Sequence, residues 1–243
     1  MYKKRIQTVL IFLFWLTVWQ AVSLLLHNPI VLVGPLETLK ALQRLVITME
    51  FWLSILSSLA RIGSGFLLAF SAGILLAVPA CRFGLLRDCL EPLVLLLKSI
   101  PVASFVILAL IWIGSRNLSI FVSASVVFPL VYTNLLAGLQ NTDPKLLEMA
   151  EVFRIRLPQR IRYIYLPALL PYLCSATKTA LGMAWKSGVA AEVIGVPTPS
   201  IGEQLYMAKI YLSTADLFAW TFVIICISLL SEKLFLHLLN RWS

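Results

Sequence analysis

Six apolar runs, at residues 6–26, 51–79, 90–113, 118–139, 168–194 and 217–239, dominate the chain. Each is long enough to cross a hydrocarbon core of about 30 Å as a helix. With 60% of its residues hydrophobic and only 13% charged, the chain has too little polar surface to cover a water-soluble core. In lipid only helices and closed barrels satisfy their own backbone groups. No alternating ten-residue pattern of barrel strands occurs, so the expected fold is all-α and polytopic, with about six transmembrane helices. The first run follows Lys3, Lys4 and Arg5, but it is too long for a signal-peptide core and lacks a small-x-small cleavage site. It reads as a retained span.

The net charge of +9 is unevenly placed. With the N-terminus in the cytoplasm, Lys3, Lys4, Arg5, Arg82, Arg87, Lys145, Arg154, Arg156, Arg160, Arg162, Lys233 and Arg241 fall on that side. Lys40, Arg44, Arg116 and Lys209 fall outside. This bias orients both termini toward the cytoplasm, and it leaves no basic excess that needs nucleic acid. Cys81, Cys89, Cys174 and Cys226 have no metal-like spacing, and His27 and His237 lie on opposite sides of the membrane. No metal site or bound cofactor is expected.

Two organisational units are expected, residues 1–50 and a core of 51–243 containing a cytoplasmic loop at 141–167. The first unit ends in a segment whose Leu36, Leu39, Leu42, Val46 and Met49 recur at helical spacing, as in an amphipathic helix on the outer surface. Gly65, Ala69, Gly73 and Ala77, and likewise Ala176, Ala180, Ala184 and Gly188, repeat every four residues. Such ladders let backbones approach closely, which places these two spans centrally. Pro101 and Pro129 predict kinks in the third and fourth spans.

One long charged stretch interrupts the apolar pattern. Asp143-Pro144 starts a helix, with Asp as N-cap and Pro at the first helical position. Leu146, Met149, Ala150 and Phe153 are expected on one exposed apolar face. Leu157-Pro158 begins a second short helix carrying Arg160 and Arg162, and Leu166-Pro167 starts the fifth span. This helix-turn-helix presents a stripe for lipid headgroups or another protein to cover.

The stretch resembles the signature of binding-protein-dependent ABC transporter permeases: E-A-A, three residues, G, nine residues, I-x-L-P. Here it reads Glu148-Met149-Ala150, Arg154 at the glycine position, and Ile164-Tyr165-Leu166-Pro167, so five of seven fixed positions match. Arg154 stands where the family uses glycine for the turn between coupling helices. "SSLARIGSGFLLAFSAGILLAVPA", "EPLVLLLKSIPVASFVILALIWIG" and "MAWKSGVAAEVIGVPTPSIGEQL" are also similar to the family's span patterns, and to the subgroup importing nitrate, taurine, alkanesulfonates, bicarbonate and some vitamin precursors. The resemblance implies a type I importer permease that pairs with a second permease copy. Two cytoplasmic ATPase subunits would hold ATP and Mg, and an external substrate-binding protein would deliver the solute. Leu146, Glu148, Met149, Ala150, Phe153, Arg154, Leu157 and Pro158 are then the ATPase-coupling residues.

Arg61, Lys98, Lys178 and Lys186 lie within proposed spans, where a charge costs about 2.5–3.5 kcal/mol at mid-depth. Lys178, Gly182 and Lys186 share one helix face. Lys98, Pro101, Lys178, Gly182, Trp185, Lys186 and Glu192 are the expected path or gate residues, and Lys178 favours an anionic solute. The alternative for Lys98 and Lys186 is snorkelling to the surface. Other functions find less support. A stand-alone secondary transporter or channel would be expected to show inverted repeats or acid relays, and an intramembrane enzyme would need a catalytic constellation. Neither pattern is apparent, and a P-loop is absent as well.

Overall fold

A computed structural model describes residues 2–241. The described residues form helices joined by short connections, with no strand among them. The helix α1 (Tyr2–Leu26) precedes α2 (Pro35–Val46), which starts at a proline in its first turn. Thr48 caps the long α3 (Met49–Arg82) by accepting the Phe51 N–H. There follow α4 (Gly84–Ser99), α5 (Val102–Ile113) and α6 (Ser115–Gln140). The charged stretch forms α7 (Pro144–Val152) and α8 (Leu157–Arg160), and the chain ends with α9 (Leu166–Gly195), α10 (Ile201–Ile210) and α11 (Thr214–Asn240).

Helices α3, α6 and α9 form the centre, and small residues hold them together. A Cβ on Gly65 would run into the Ser123 hydroxyl and the Ile120 carbonyl of α6, and one on Gly73 would lie 2.8 Å from Val131. On α9, Ala176, Ala180 and Ala184 are fully buried, and a Cβ on Gly188 would sit 2.7 Å from Ile62 of α3. Both ladders thus face protein, as their spacing predicts. α11 closes one side through Phe235, whose ring meets Phe66 and Phe70 edge-on, and through Trp220 against Phe51.

The outer faces are as apolar as the core. Leu67, Leu68 and Leu75 of α3, Phe222, Leu229 and Leu230 of α11, and most of α1 are exposed. Helices α1, α3, α6 and α11 are long and apolar enough to span a bilayer. α9, at 30 residues, is longer than α6, at 26, and carries Lys178, Lys186 and Glu192 along its length. The six expected runs map onto α1, α3, the α4–α5 pair, α6, α9 and α11.

Two expectations about the spans need correction. Residues 90–113 do not make one kinked span: α4 and α5 meet at 108°. Pro101 lacks an N–H and excludes its predecessor from helical geometry, so Ile100 (ψ 127°) and Pro101 (ψ 126°) are both extended. Neither helix, at 16 and 12 residues, reaches across about 30 Å alone. Pro129, by contrast, sits inside the continuous α6.

Nor is there a break before the fifth span. α8 passes through a single π-helical turn, Ile161–Tyr165, directly into α9, with the Leu166 N–H reaching back to the Ile161 carbonyl. Pro167 has no N–H to give the preceding turn, and the wider turn absorbs that loss. Residues 157–195 are therefore one uninterrupted helical rod.

The α2 stripe also divides differently. Thr38 and Ala41 are its buried face, while Leu36, Leu39, Val46 and Met49 point away from the bundle. Arg44 pairs with Asp216 of α11 at 2.6 Å.

Candidate functional site

The α7–α8 segment lies at the end of the bundle where α6 finishes and α9 begins. Asp143 caps α7 by accepting the Lys145 N–H at 2.9 Å, as the Asp-Pro start predicts. The helix ends in a Schellman turn: Arg154 N–H reaches Glu151 O at 3.0 Å and Ile155 N–H reaches Ala150 O at 2.9 Å. That turn requires a left-handed residue, and Arg154 supplies it at φ +46°. The left-handed conformation is thus kept with a side chain in place, at a cost of about 1 kcal/mol.

The turn sets which side chains project. Leu146, Met149, Val152, Phe153 and Leu157 are exposed, Val152 and Phe153 at 79% and 72%. Glu148, Arg154 and Pro158 surround them, also exposed. Ala150, expected on this stripe, is fully buried, so it supports α7 from below and offers nothing to a partner. Sequence reasoning missed Val152, which adjoins Phe153 and completes the apolar row. Glu151 on α7 approaches Arg160 of α8 at 4.0 Å, bridging the two short helices.

Along α9 one face is open. Lys178, Thr179, Met183 and Lys186 are exposed on it. Gly182 lies between the lysines, and a Cβ there would meet nothing within 4 Å. The opposite face is the buried alanine ladder. Lys98 of α4 is exposed and donates to Thr133 Oγ1 of α6 at 3.4 Å. Pro101 is exposed at the α4–α5 corner.

Trp185 and Glu192, expected on the path or gate, are inside the subunit in this conformation. The Trp185 indole N–H donates to Ser231 Oγ of α11 at 3.0 Å, and the ring is 2% exposed. Glu192 has no solvent exposure. Its Oε2 accepts Ser58 Oγ–H at 2.6 Å and the Gly202 N–H at 3.3 Å, while Oε1 faces the Arg61 guanidinium at 3.8 Å. Arg61 also donates to Pro199 O at 3.0 Å. These contacts lock α3, the end of α9 and α10 together. The partnership of Arg61 with Glu192 escaped sequence reasoning, although an arginine and a carboxylate both inside apolar runs were the available signal.

Ser200 caps α10, its Oγ accepting the Glu203 N–H at 2.9 Å. Partial burial raises the Glu203 carboxyl above its ordinary range, the nearby Ser200 backbone N–H lowers it in part, and Glu50 adds to the rise.

These features define a polytopic helical membrane subunit with an exposed apolar segment at one end. The sequence profile of the binding-protein-dependent transport system inner membrane component matches residues 69–242, and the chain belongs to that family. The Escherichia coli (strain K12) taurine transport system permease protein TauC is 30% identical over 231 residues, covering 89% of this chain and 81% of its own. The Bacillus subtilis (strain 168) protein SsuC, named as an aliphatic sulfonates transport permease, is 27% identical over 229 residues, covering 93% and 82%. The nitrate import permease protein NrtB of Leptolyngbya laminosa is 30% identical over 146 residues, covering 59% and 52%. The chain is a permease subunit of an ATP-driven importer, and ATP hydrolysis belongs to a separate subunit.

Proposed function

We propose that two identical copies of this chain pair across their open α9 faces in a bacterial inner membrane, with both termini cytoplasmic, and enclose a path for a small anion. Each copy seats α7 and α8 on one of two ATPase subunits, and an external binding protein delivers the solute at the opposite end. The carrying observation is the exposed apolar row of Leu146, Met149, Val152, Phe153 and Leu157, which nothing among the described residues covers. An apolar row flanked by Glu148 and Arg154 suits a protein groove, in which the charges set register. The rod from Leu157 to Gly195 carries a displacement of α8 straight into the bundle.

The anionic solute is argued from Lys178 and Lys186. A charge facing lipid at mid-depth is costly, so a face with two lysines and an open glycine suits a watered interface between copies. The relatives named for taurine, sulfonates and nitrate agree with that sign. The unit at residues 1–50 is proposed as a peripheral addition that packs on α11 through Arg44 and Trp19.

Co-purification of the chain with its ATPase tests this reading. A one-to-one ratio, lost on Phe153→Asp, is the expected result. Solute flux through liposomes containing this chain alone would overturn it in favour of a stand-alone transporter or channel.

A further inference from the structure

At the end of the bundle opposite α7 and α8, a cavity of about 400 Å³ opens between α3, α6 and the segment after α9. Its lining is Arg61, Ser115, Arg116, Pro197, Thr198 and Pro199. Positive potential reaches it from three sources. Arg61 spends one donor on Pro199 O and stands 3.8 Å from Glu192, which leaves several of its five N–H groups uncommitted. Arg116 is exposed and has no ion pair or hydrogen bond among the described residues. The third source is α6 itself, a 26-residue helix whose N-cap, Gly114 at φ +77°, has no side chain to accept the first-turn N–H groups.

The remaining walls suit the same ligand. Ser115 and Thr198 bring hydroxyl donors, and Pro197 and Pro199 bring rigid, uncharged surface. Arg61 and Arg116 against the single carboxylate of Glu192 leave one net positive charge at the cavity. Glu203, the other acid that Arg61 influences, does not line it. The volume admits nitrate or a short-chain organic anion with room for water.

We propose that this cavity is a receiving site for a small monoanion, bound through an oxyanion group such as sulfonate, nitrate or carboxylate as it passes from the external binding protein into the permease. The proposal rests on the anion-importer reading above and adds a place where the solute is first held. An acidic side chain of the binding protein is the competing occupant. The cavity favours the free anion, because the Arg61 side chain is only 15% exposed and a bulky protein side chain has little of it to reach.

The test uses the purified permease–ATPase complex in detergent at low ionic strength. Ethanesulfonate, nitrate and acetate are titrated calorimetrically, with choline as the cationic control. At least one anion binds the wild type and choline does not. Arg116→Gln weakens that binding by at least about tenfold, and Arg116→Lys recovers part of the loss. Arg61 is left intact, since its removal strands Glu192. No anion binding to wild type, or equal affinity in Arg116→Gln, overturns the proposal. So does an Arg116→Gln complex that keeps its anion affinity but no longer captures the binding protein, which would assign Arg116 to protein docking. Loss of the ATPase from the wild-type preparation is a separate result, and it would strike the permease reading instead.

Discussion

The Ser58 hydroxyl donates to Glu192 Oε2 at 2.6 Å, and its oxygen accepts the N–H of Ile201, the first residue of α10, at 2.9 Å. One serine thus fixes α3 to α9 and to the start of α10. The carboxylate completes the arrangement by taking the Gly202 N–H and facing Arg61. A buried carboxylate this well supplied with donors is stable only as a set, so the partners fail together when one is removed.

Glu192→Leu removes the acceptor for Ser58 and Gly202 and the counter-charge of Arg61. A loss of about 3–5 kcal/mol is expected, as for other broken buried pairs. Glu192→Gln keeps the shape and one acceptor oxygen, and should cost about 1–2 kcal/mol. Thermal unfolding in detergent ranks the two, and equal melting temperatures would show that the carboxylate is not the keystone of this corner.

Glycine substitutions separate packing from open space. Gly65→Ala drives a methyl into the Ile120 carbonyl, which is backbone and cannot rotate away, so a loss of about 2–3 kcal/mol is expected. Gly188→Ala meets only the Ile62 side chain and should lose less. Gly182→Ala has clear space and should leave unfolding unchanged or slightly raise its temperature. A large loss at Gly182 would mean that the α9 face is already filled.

The two ladders were legible in the sequence because a period of four keeps one face small, and that face alone permits close approach. Ala150 was misread because it lies four residues after Leu146, only about 40° round a helix of nine residues, and spacing alone does not separate the buried alanine from the exposed leucine. The 108° corner at Pro101 left no periodic signal, because α4 and α5 are apolar on more than one side and a gentle kink carries the same pattern. The Arg61–Glu192 approach joins groups on separate helices, and no local spacing encodes it.

Arg154→Gly should stabilise the turn. The left-handed residue at φ +46° is strained with a side chain and unstrained as glycine, so a gain of about 0.5–1 kcal/mol is expected, seen as a raised melting temperature. Retained ATPase co-purification would show that the guanidinium is dispensable for docking. A lowered melting temperature would mean that the Arg154 side chain contributes more than the strain costs.

The proposed docking rests on the projecting row. Phe153→Ala and Leu157→Ala, both at exposed positions, should leave unfolding within about 0.5 kcal/mol of wild type. They should nevertheless reduce the fraction of permease that retains ATPase, because apolar side chains at an interface centre carry most of its energy. Ala150→Asp reverses the pattern, destabilising the chain through a buried charge before any partner is present. If Phe153→Ala and Ala150→Asp gave the same signature, the division of this short helix into an inner and an outer side would be wrong.

Lys178→Met removes the charge from the open face of α9 while keeping the length of the side chain. Lys178 is exposed, and on the buried side of the same helix Ala176 and Ala180 are untouched, so folding should be unaffected. An anion crossing a low-dielectric path gains from one fixed positive charge by more than it would in water, so transport should fall by at least about tenfold when that charge is lost. Lys178→Arg should retain most of the rate, since it keeps the sign and the reach. Reconstituted complex with ATP and the binding protein gives the measurement. Unchanged flux in Lys178→Met would place this face against lipid headgroups or a protein carbonyl, and the path would have to run along another side of α9.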